Sequence, residues 1–332
     1  MRVEDFDYSL PRELIAQRPT DGRAESRLMV LSRVSVKHDR FANFLNYLSK
    51  GDLLVLNDTK VIPARLKGRR VTGGKVELLL LRKEGDNWIC LGKGRFKAGE
   101  RISVGDSSAR ILEKSDGRLL VSFDTSNFKA FLKKYGEMPV PPYIKEKLND
   151  EERYQTVYAS VEGSVASPTA GLHLTHEMLE ELYSRGIGTA KITLHVGPGT
   201  FLPVRAERIE DHTMEEEYFE ISVEAAERIN RTLESSNRLF VVGTTTVRAL
   251  ESGQRRGRVV PSRGWTDLFI YPPYEFNIRM DALLTNLHLP RSTILMLVSS
   301  YAGRERILEA YKEAIERKYR FYSFGDAMLI FR

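Results

Sequence analysis

Two short segments near the middle of the chain each carry a histidine among small and hydroxylated residues. One is Ser164-Val165-Ala166-Ser167-Pro168-Thr169-Ala170-Gly171-Leu172-His173-Leu174-Thr175, the other Thr193-Leu194-His195-Val196-Gly197-Pro198-Gly199-Thr200-Phe201. Gly and Pro let a backbone approach a ligand closely, while Thr, Ser and His supply donors, acceptors and one ring apiece that titrates near neutrality. A pocket so lined suits proton transfer, which makes His173 and His195 the candidate acid–base groups. His212 with Glu215, Glu216 and Glu217 raises a metal centre as a rival use of the histidines. No H-E-x-x-H or comparable ligand run occurs, so no metal is expected. A Ser–His–Asp hydrolase is disfavoured by the lack of a G-x-S-x-G elbow.

Two further segments carry polar groups to places where a ligand could meet them. Gly243-Thr244-Thr245-Thr246-Val247-Arg248 falls where a strand ends and a helix starts, so its N–H groups and hydroxyls could hold a carboxylate, with Arg248 as a cationic fork. It lacks the Lys and spacing of a P-loop, and no G-x-G-x-x-G follows the first strand. In Leu284-Thr285-Asn286-Leu287-His288, Asn286 and His288 are two apart, which in an extended segment puts both on one face.

The elements that position these residues follow from periodicity. A helix is expected around Phe41 to Leu48, then a strand Leu53-Leu54-Val55-Leu56 ending in Asn57-Asp58-Thr59. Short apolar runs separated by Gly, Asp, Asn and Ser turns fill Val61 to Pro139, among them Val76–Leu81, Trp88–Leu91 and Leu119–Phe123, and argue for a small barrel. Beyond Pro142 strands and helices alternate. Thr175 is placed to cap a helix that stops at Gly186, Ser222 to cap the next, and strands are expected at Ala190–Leu194, Leu239–Val242 and Ala327–Phe331. The helix after Gly243–Thr246 is expected to begin near Val247. The fold class is therefore a mixed α/β domain made of 1–60 and 143–332, with an all-β barrel inserted over 61–142.

Composition narrows the setting. The 332 residues are 42% hydrophobic, enough for a substantial core and for two domains. Lys and Arg number 51 against 45 Asp and Glu, a net charge of +6 that suits an anionic partner such as RNA without requiring one. Basic stretches Arg65–Arg70, Arg255–Arg258 and Arg317–Arg320 could track an RNA backbone if they converge. Cys90 is the only cysteine, which excludes an intrachain disulfide and thiolate zinc sites. The charged start Met1-Arg2-Val3-Glu4-Asp5 has no apolar signal core, and the apolar stretch 283–301 is broken by Asn286, His288, Pro290 and Arg291. A cytoplasmic protein with no membrane association is expected.

Taken together, Ser164–Thr175, Thr193–Val204, Val242–Leu250 and Leu283–Gly303 closely resemble the S-adenosylmethionine:tRNA ribosyltransferase-isomerase family of queuosine biosynthesis. Asp7–Pro11, Arg23–Leu31, Gly51–Leu66, Tyr154–Ala159 and Tyr319–Met328 extend the likeness over nearly the whole chain. Departures from the family pattern are Ser167 for a frequent alanine, Leu174 and Leu287 for frequent phenylalanines, Thr246 for a frequent serine, and Glu215 where many members have a second histidine.

The resemblance implies an α/β domain with an inserted barrel and an enzyme that moves and isomerises the ribosyl part of S-adenosylmethionine onto 7-aminomethyl-7-deazaguanine at the tRNA wobble position. Epoxyqueuosine forms, and adenine and methionine leave. S-adenosylmethionine is then a consumed co-substrate, no prosthetic group is needed, and the partner is the tRNA anticodon arm. The chain is expected to act as a monomer with at most weak self-association. On this reading His195 or His173 moves the proton, Gly197, Gly199 and Thr200 make close backbone contact with S-adenosylmethionine, and Thr244, Thr245 and Arg248 hold its methionine carboxylate. Asp58, Glu217, Asn286 and His288 are expected to orient the ribose or the base. Two other classes remain open: a metal-dependent hydrolase built on the histidines, sensitive to chelators, and a noncatalytic RNA-binding protein that consumes no S-adenosylmethionine.

Overall fold

The computed structural model describes every residue except Asp116, Lys147, Asn149, Leu202 and Pro203, with the side chains of Thr200 and Phe201 also outside the description. The chain divides into one unit of Met1–Lys60, Pro142–Val161 and Ser167–Arg332, and another of Val61–Pro141 with Glu162–Ala166. The second unit thus takes in five returning residues beyond the expected insertion of 61–142. Val165 packs into its apolar core, and the Ile62 amide donates to the Ser164 carbonyl at 2.9 Å.

The first unit is built on a nine-stranded sheet. Across it the strands run Ser262–Thr266, Glu217–Ile221, Gly188–Leu194, Leu53–Asn57, Leu239–Val242, Ala282–Asn286, Ala327–Phe331, Arg27–Leu31 and Val36–Arg40. The four from Gly188–Leu194 to Ala282–Asn286 are mutually parallel, and their outer neighbours Glu217–Ile221 and Ala327–Phe331 lie antiparallel to them. Every residue of Leu53–Asn57, Leu239–Val242 and Ala282–Asn286 is buried, as expected for strands covered on both faces. On one face Leu54, Leu56, Phe240, Val242 and Leu284 pack with Phe41, Phe44, Met178 and Leu182. The alternate residues Val55, Val241 and Leu283 are buried on the other. Register sets the strand ends nearly level, with Asn57 opposite Ile192, Val55 opposite Val241, and Val242 opposite Leu284.

Side-chain caps start the helices where the sequence predicts. Thr175 Oγ1 accepts from the Met178 amide at 3.2 Å, opening His176–Ser184, and Ser222 Oγ accepts from the Ala225 amide at 3.1 Å, opening Val223–Leu233. The expected turn at Gly243–Thr246 is not there. Gly243 adopts φ +88° and launches the helix Thr244–Ser252 directly from the end of its strand, so all three threonines lie in the first helical turn. The segment Phe41–Tyr47, expected as an ordinary helix, is a 3-10 helix.

The second unit is a closed six-stranded antiparallel barrel. Its strands are ordered Arg65–Arg70, Lys75–Glu84, Asn87–Lys93, Arg118–Phe123, Ser107–Ser115 and Arg101–Val104, and the last pairs back onto the first. Leu66, Leu78, Leu80, Cys90, Ile102, Ile111 and Val121 fill its interior, and burial pushes the Cys90 thiol up. Among the described residues no helix is long and apolar enough to cross a membrane.

Candidate active site

In open sheets with parallel strands, ligands bind outside the carboxyl ends of the strands, where chain ends diverge and backbone groups are left to be satisfied. The candidate residues gather there. Asn57 ends one strand with Asp58 just beyond it, His195 follows the next, Gly243 and Thr244 follow the third, and Asn286 ends the fourth.

Asn57 ties three of these ends together. Its Oδ1 accepts from the amides of Leu194 (3.0 Å) and Thr59 (3.2 Å), while its Nδ2 donates to the Leu194 carbonyl (3.0 Å) and Thr245 Oγ1 (3.2 Å). Asp58, also buried, accepts from Thr193 Oγ1 and Ser160 Oγ, both at 2.7 Å. With both oxygens engaged, its carboxylate braces the site's wall.

His195 is half-buried. Thr59 Oγ1 holds its Nδ1 at 2.7 Å, its amide donates to the Tyr218 carbonyl at 2.8 Å, and its ring stacks on Tyr218 with centroids 5.6 Å apart. Among the described residues no hydrogen bond takes up Nε2. Burial lowers its affinity for a proton, with the nearby Asp58 and Glu220 charges opposing that shift. The outcome is an imidazole that is neutral near pH 7 with one nitrogen held and one available.

His173 is fixed differently. It is buried against Phe41, with centroids 5.0 Å apart, its Nδ1 lies 2.8 Å from Ser26 Oγ, and its Nε2 lies 3.2 Å from Asn286 Nδ2. Because the Asn286 amide nitrogen can only donate, Nε2 accepts and Nδ1–H donates to Ser26. Burial first, then the Arg320 and Arg23 charges, pushes its pKa down to about 3. In this geometry both nitrogens of the neutral His173 ring are occupied, and the ring does not line the cavity described below. Asn286 is held by it and, through Oδ1, by Thr169 Oγ1 at 3.0 Å. His288 is equally enclosed, with Nε2 2.7 Å from Thr285 Oγ1, and burial likewise takes its pKa down to about 3.

Arg248, expected to be an open fork for a carboxylate, is already closed. Its Nη1 pairs with the Glu217 carboxylate, both side chains being buried, and its Nε donates to the Leu268 carbonyl at 2.9 Å. Glu217 Oε1 in turn accepts from the Gly197 amide at 2.7 Å, which ties the glycine segment to the pair. A Cβ at Gly199 would come within 3.3 Å of Glu215 Oε2, so glycine lets that carboxylate lie against the backbone. The side chain of Thr200 lies outside the described residues.

A small cavity of about 30 Å³ is lined by Ser167–Ala170, Val196, Gly243–Thr245, Thr285, Asn286 and His288. A second, of about 20 Å³, is lined by Met214, Thr244, Thr245, Arg248, Ile270 and Ile294, so Thr244, Thr245 and Ile294 are walls of both. Ser167 Oγ is buried there and has no hydrogen-bond partner among the described residues. Among the described residues no three His, Cys, Asp or Glu side chains converge as metal ligands would. Sequence reasoning missed Asn57, Thr59 and Ser26. The first two carry a signal that was present, polar residues at the carboxyl end of a continuous apolar strand.

Comparison with known proteins gives the arrangement its context. The family described as queuosine biosynthesis protein matches residues 3–330. An S-adenosylmethionine:tRNA ribosyltransferase-isomerase from Caldanaerobacter subterraneus subsp. tengcongensis is 52% identical, covering 99% of this chain and 100% of that protein. One of the same name from Halothermothrix orenii is 51% identical over the same shares. The crystal structure of an S-adenosylmethionine tRNA ribosyltransferase from Thermotoga maritima matches with 40% identity and a TM-score of 0.58, covering 98% of this chain and 99% of that one. With the family match spanning both units and relatives at half identity end to end, this chain belongs to the queuosine biosynthesis family of S-adenosylmethionine:tRNA ribosyltransferase-isomerases.

Proposed function

We propose that this chain transfers the ribosyl group of S-adenosylmethionine to 7-aminomethyl-7-deazaguanine at the wobble position of tRNA and isomerises it to epoxyqueuosine, releasing adenine and methionine. Membership of the family carries the reaction class. The observation that carries the site is the gathering of Asn57, His195, Gly243–Thr245 and Asn286 at the carboxyl ends of four adjacent parallel strands.

The chemistry needs a proton carrier. The sulfonium acidifies the ribose carbon beside it, the attacking amine must be neutral, and departing adenine must gain a proton. His195 suits this work: Thr59 orients it, it is neutral at physiological pH, and its Nε2 is available to take a proton and return it. His173 acts one step back, as a positioning residue that holds Asn286. The methionine carboxylate is assigned to the start of the helix Thr244–Ser252, whose first N–H groups and positive dipole end favour an anion. Gly197 and Gly199 give the ligand close backbone approach, and the Arg248–Glu217 pair holds that segment through the Gly197 amide. Asn286 and His288, which line the cavity, orient ribose or base, with Asp58 bracing Thr193 beside them.

S-adenosylmethionine enters as a consumed co-substrate, and no step calls for a prosthetic group or metal. The test supplies S-adenosylmethionine and tRNA bearing the aminomethyl-deazaguanine base and measures the small products. Stoichiometric adenine and methionine are expected; S-adenosylhomocysteine would indicate methyl transfer and sink the reading.

A further inference from the structure

The positive charge of the chain resides in its barrel. The unit Val61–Pro141 with Glu162–Ala166 has 17 Lys and Arg against 10 Asp and Glu, a net charge of +7; the rest of the chain has 34 against 35, a net charge of −1. A surplus confined to one unit is the footprint of a surface that meets a polyanion.

Strand register concentrates part of that surplus. Arg69 stands opposite Lys75 on one neighbouring strand and Ser103 on the other, while Lys67 stands opposite Glu77, which itself faces Lys93. Neighbouring strands lie about 4.8 Å apart and same-face residues along a strand about 7 Å apart, so one nucleic-acid backbone can meet several of these cations together. All four cations line one groove of about 820 Å³. Gly68 takes part without a side chain, and a Cβ there would lie 2.7 Å from the Ser103 carbonyl oxygen.

The cations are available. Among the described residues no ion pair engages Arg69, Lys75 or Lys93. Lys67 reaches Glu137 at 2.8 Å, but both side chains are exposed, a weak pair that a phosphate can replace. Glu77, the one acid lining the groove among the described residues, lies 3.4 Å from Arg65 Nε, which offsets its charge. Among the described residues no aromatic ring lines the groove, so these residues offer contacts to phosphates and no platform for stacking unpaired bases.

We infer that this barrel groove is a docking surface for the sugar-phosphate backbone of a paired tRNA stem, gripping the substrate without reading its sequence. The inference rests on tRNA being the substrate and adds the surface and the mode of contact.

The test combines Lys67→Gln, Arg69→Gln, Lys75→Gln and Lys93→Gln in the full chain and follows binding of unmodified tRNA across a salt series. Affinity is expected to fall roughly tenfold or more at moderate salt, and the dependence of log K on log salt to become shallower by about 3. The loss should be equal for two tRNAs of different sequence. Arg33→Gln with Lys50→Gln, exposed positions of the other unit, serves as the control and should bind as the unaltered chain does. Unchanged affinity and slope in the fourfold variant, an equal loss in the control, or a loss confined to one tRNA sequence would each overturn the inference. Adenine release from S-adenosylmethionine is assayed separately with modified tRNA, where the fourfold variant should lose in KM for tRNA with kcat kept. If the unaltered chain releases no adenine, the proposed reaction fails while the binding comparison still stands. Adenine release together with normal binding by the fourfold variant fails the docking surface alone.

Discussion

The segments around His173 and His195 look alike in sequence and differ in what the fold does with them. Both deliver an imidazole amid Gly, Pro and hydroxyl groups, yet His173 ends a buried 3-10 helix with both nitrogens engaged, and His195 follows a strand end with one nitrogen held. Spacing brings a ring to a site. The partner on the second nitrogen decides whether the ring can carry a proton or only hold its neighbours in place.

The strongest break of this comparison is His195→Ala. Removing a general acid–base group costs about 10² to 10⁴ in rate, so kcat for adenine release should fall by that much while thermal stability changes little. Retention of turnover within a few-fold would remove His195 from the mechanism.

His173→Ala should show the opposite balance. It opens a hole beside Phe41 and strips Asn286 and Ser26 of a partner, and a loss of about 3 kcal/mol in a denaturation experiment is expected. Acid sharpens the contrast. The unfolded chain takes a proton on each ring near pH 6.5, whereas folded His173 and His288 take one only near pH 3, so the unfolded state binds more protons in between. Stability therefore falls as pH drops from 6.5, by about 2 kcal/mol per ring at pH 5. The alanine variant should lose its share of that dependence. The acid limb of kcat/KM, set by His195 and lying below pH 6.5, should stay where it is. A limb that vanishes with His173 would reverse the assignment.

Thr59→Val removes the hydroxyl at His195 Nδ1 and leaves a side chain of similar volume. The ring remains, with neither its tautomer nor its angle fixed, and kcat should fall roughly tenfold, well short of the His195→Ala loss. Equal losses for the two variants would mean that Thr59 meets the substrate itself.

What the sequence revealed and what it hid divide along the range of the interaction. Thr175 and Ser222 are legible as caps because a cap bonds an amide three residues on, and Leu239–Val242 because four consecutive apolar residues suit a strand buried on both faces. Barrel strands such as Lys75–Glu84 announce themselves as short apolar runs set between turn residues. Closure of the Arg248 fork depends on Glu217, which meets it across 31 positions of sequence. Asn57 meets Leu194 because Gly188–Leu194 lies beside it in register, and the Nδ1 of His173 meets Ser26, 147 positions away. The helix start at Thr244 was hidden for a local reason: three β-branched threonines are weak helix formers, and the positive φ of Gly243 that launches the helix is not visible in sequence.

The smallest effect concerns Ser167, in the same segment as His173. Its hydroxyl is buried at the cavity wall without a partner among the described residues, an arrangement that costs free energy unless a ligand satisfies it. Ser167→Ala removes the unsatisfied group, so the unliganded protein should be unchanged or slightly more stable, by up to about 1 kcal/mol. If S-adenosylmethionine supplies the missing partner, its KM should rise roughly threefold to tenfold with kcat nearly kept, the pattern of a contact made equally in ground and transition states. Titrating S-adenosylmethionine at saturating tRNA separates the outcomes. A KM that does not move means S-adenosylmethionine does not meet the hydroxyl, and the contribution of that segment to the site then comes through Thr169 and His173 holding Asn286.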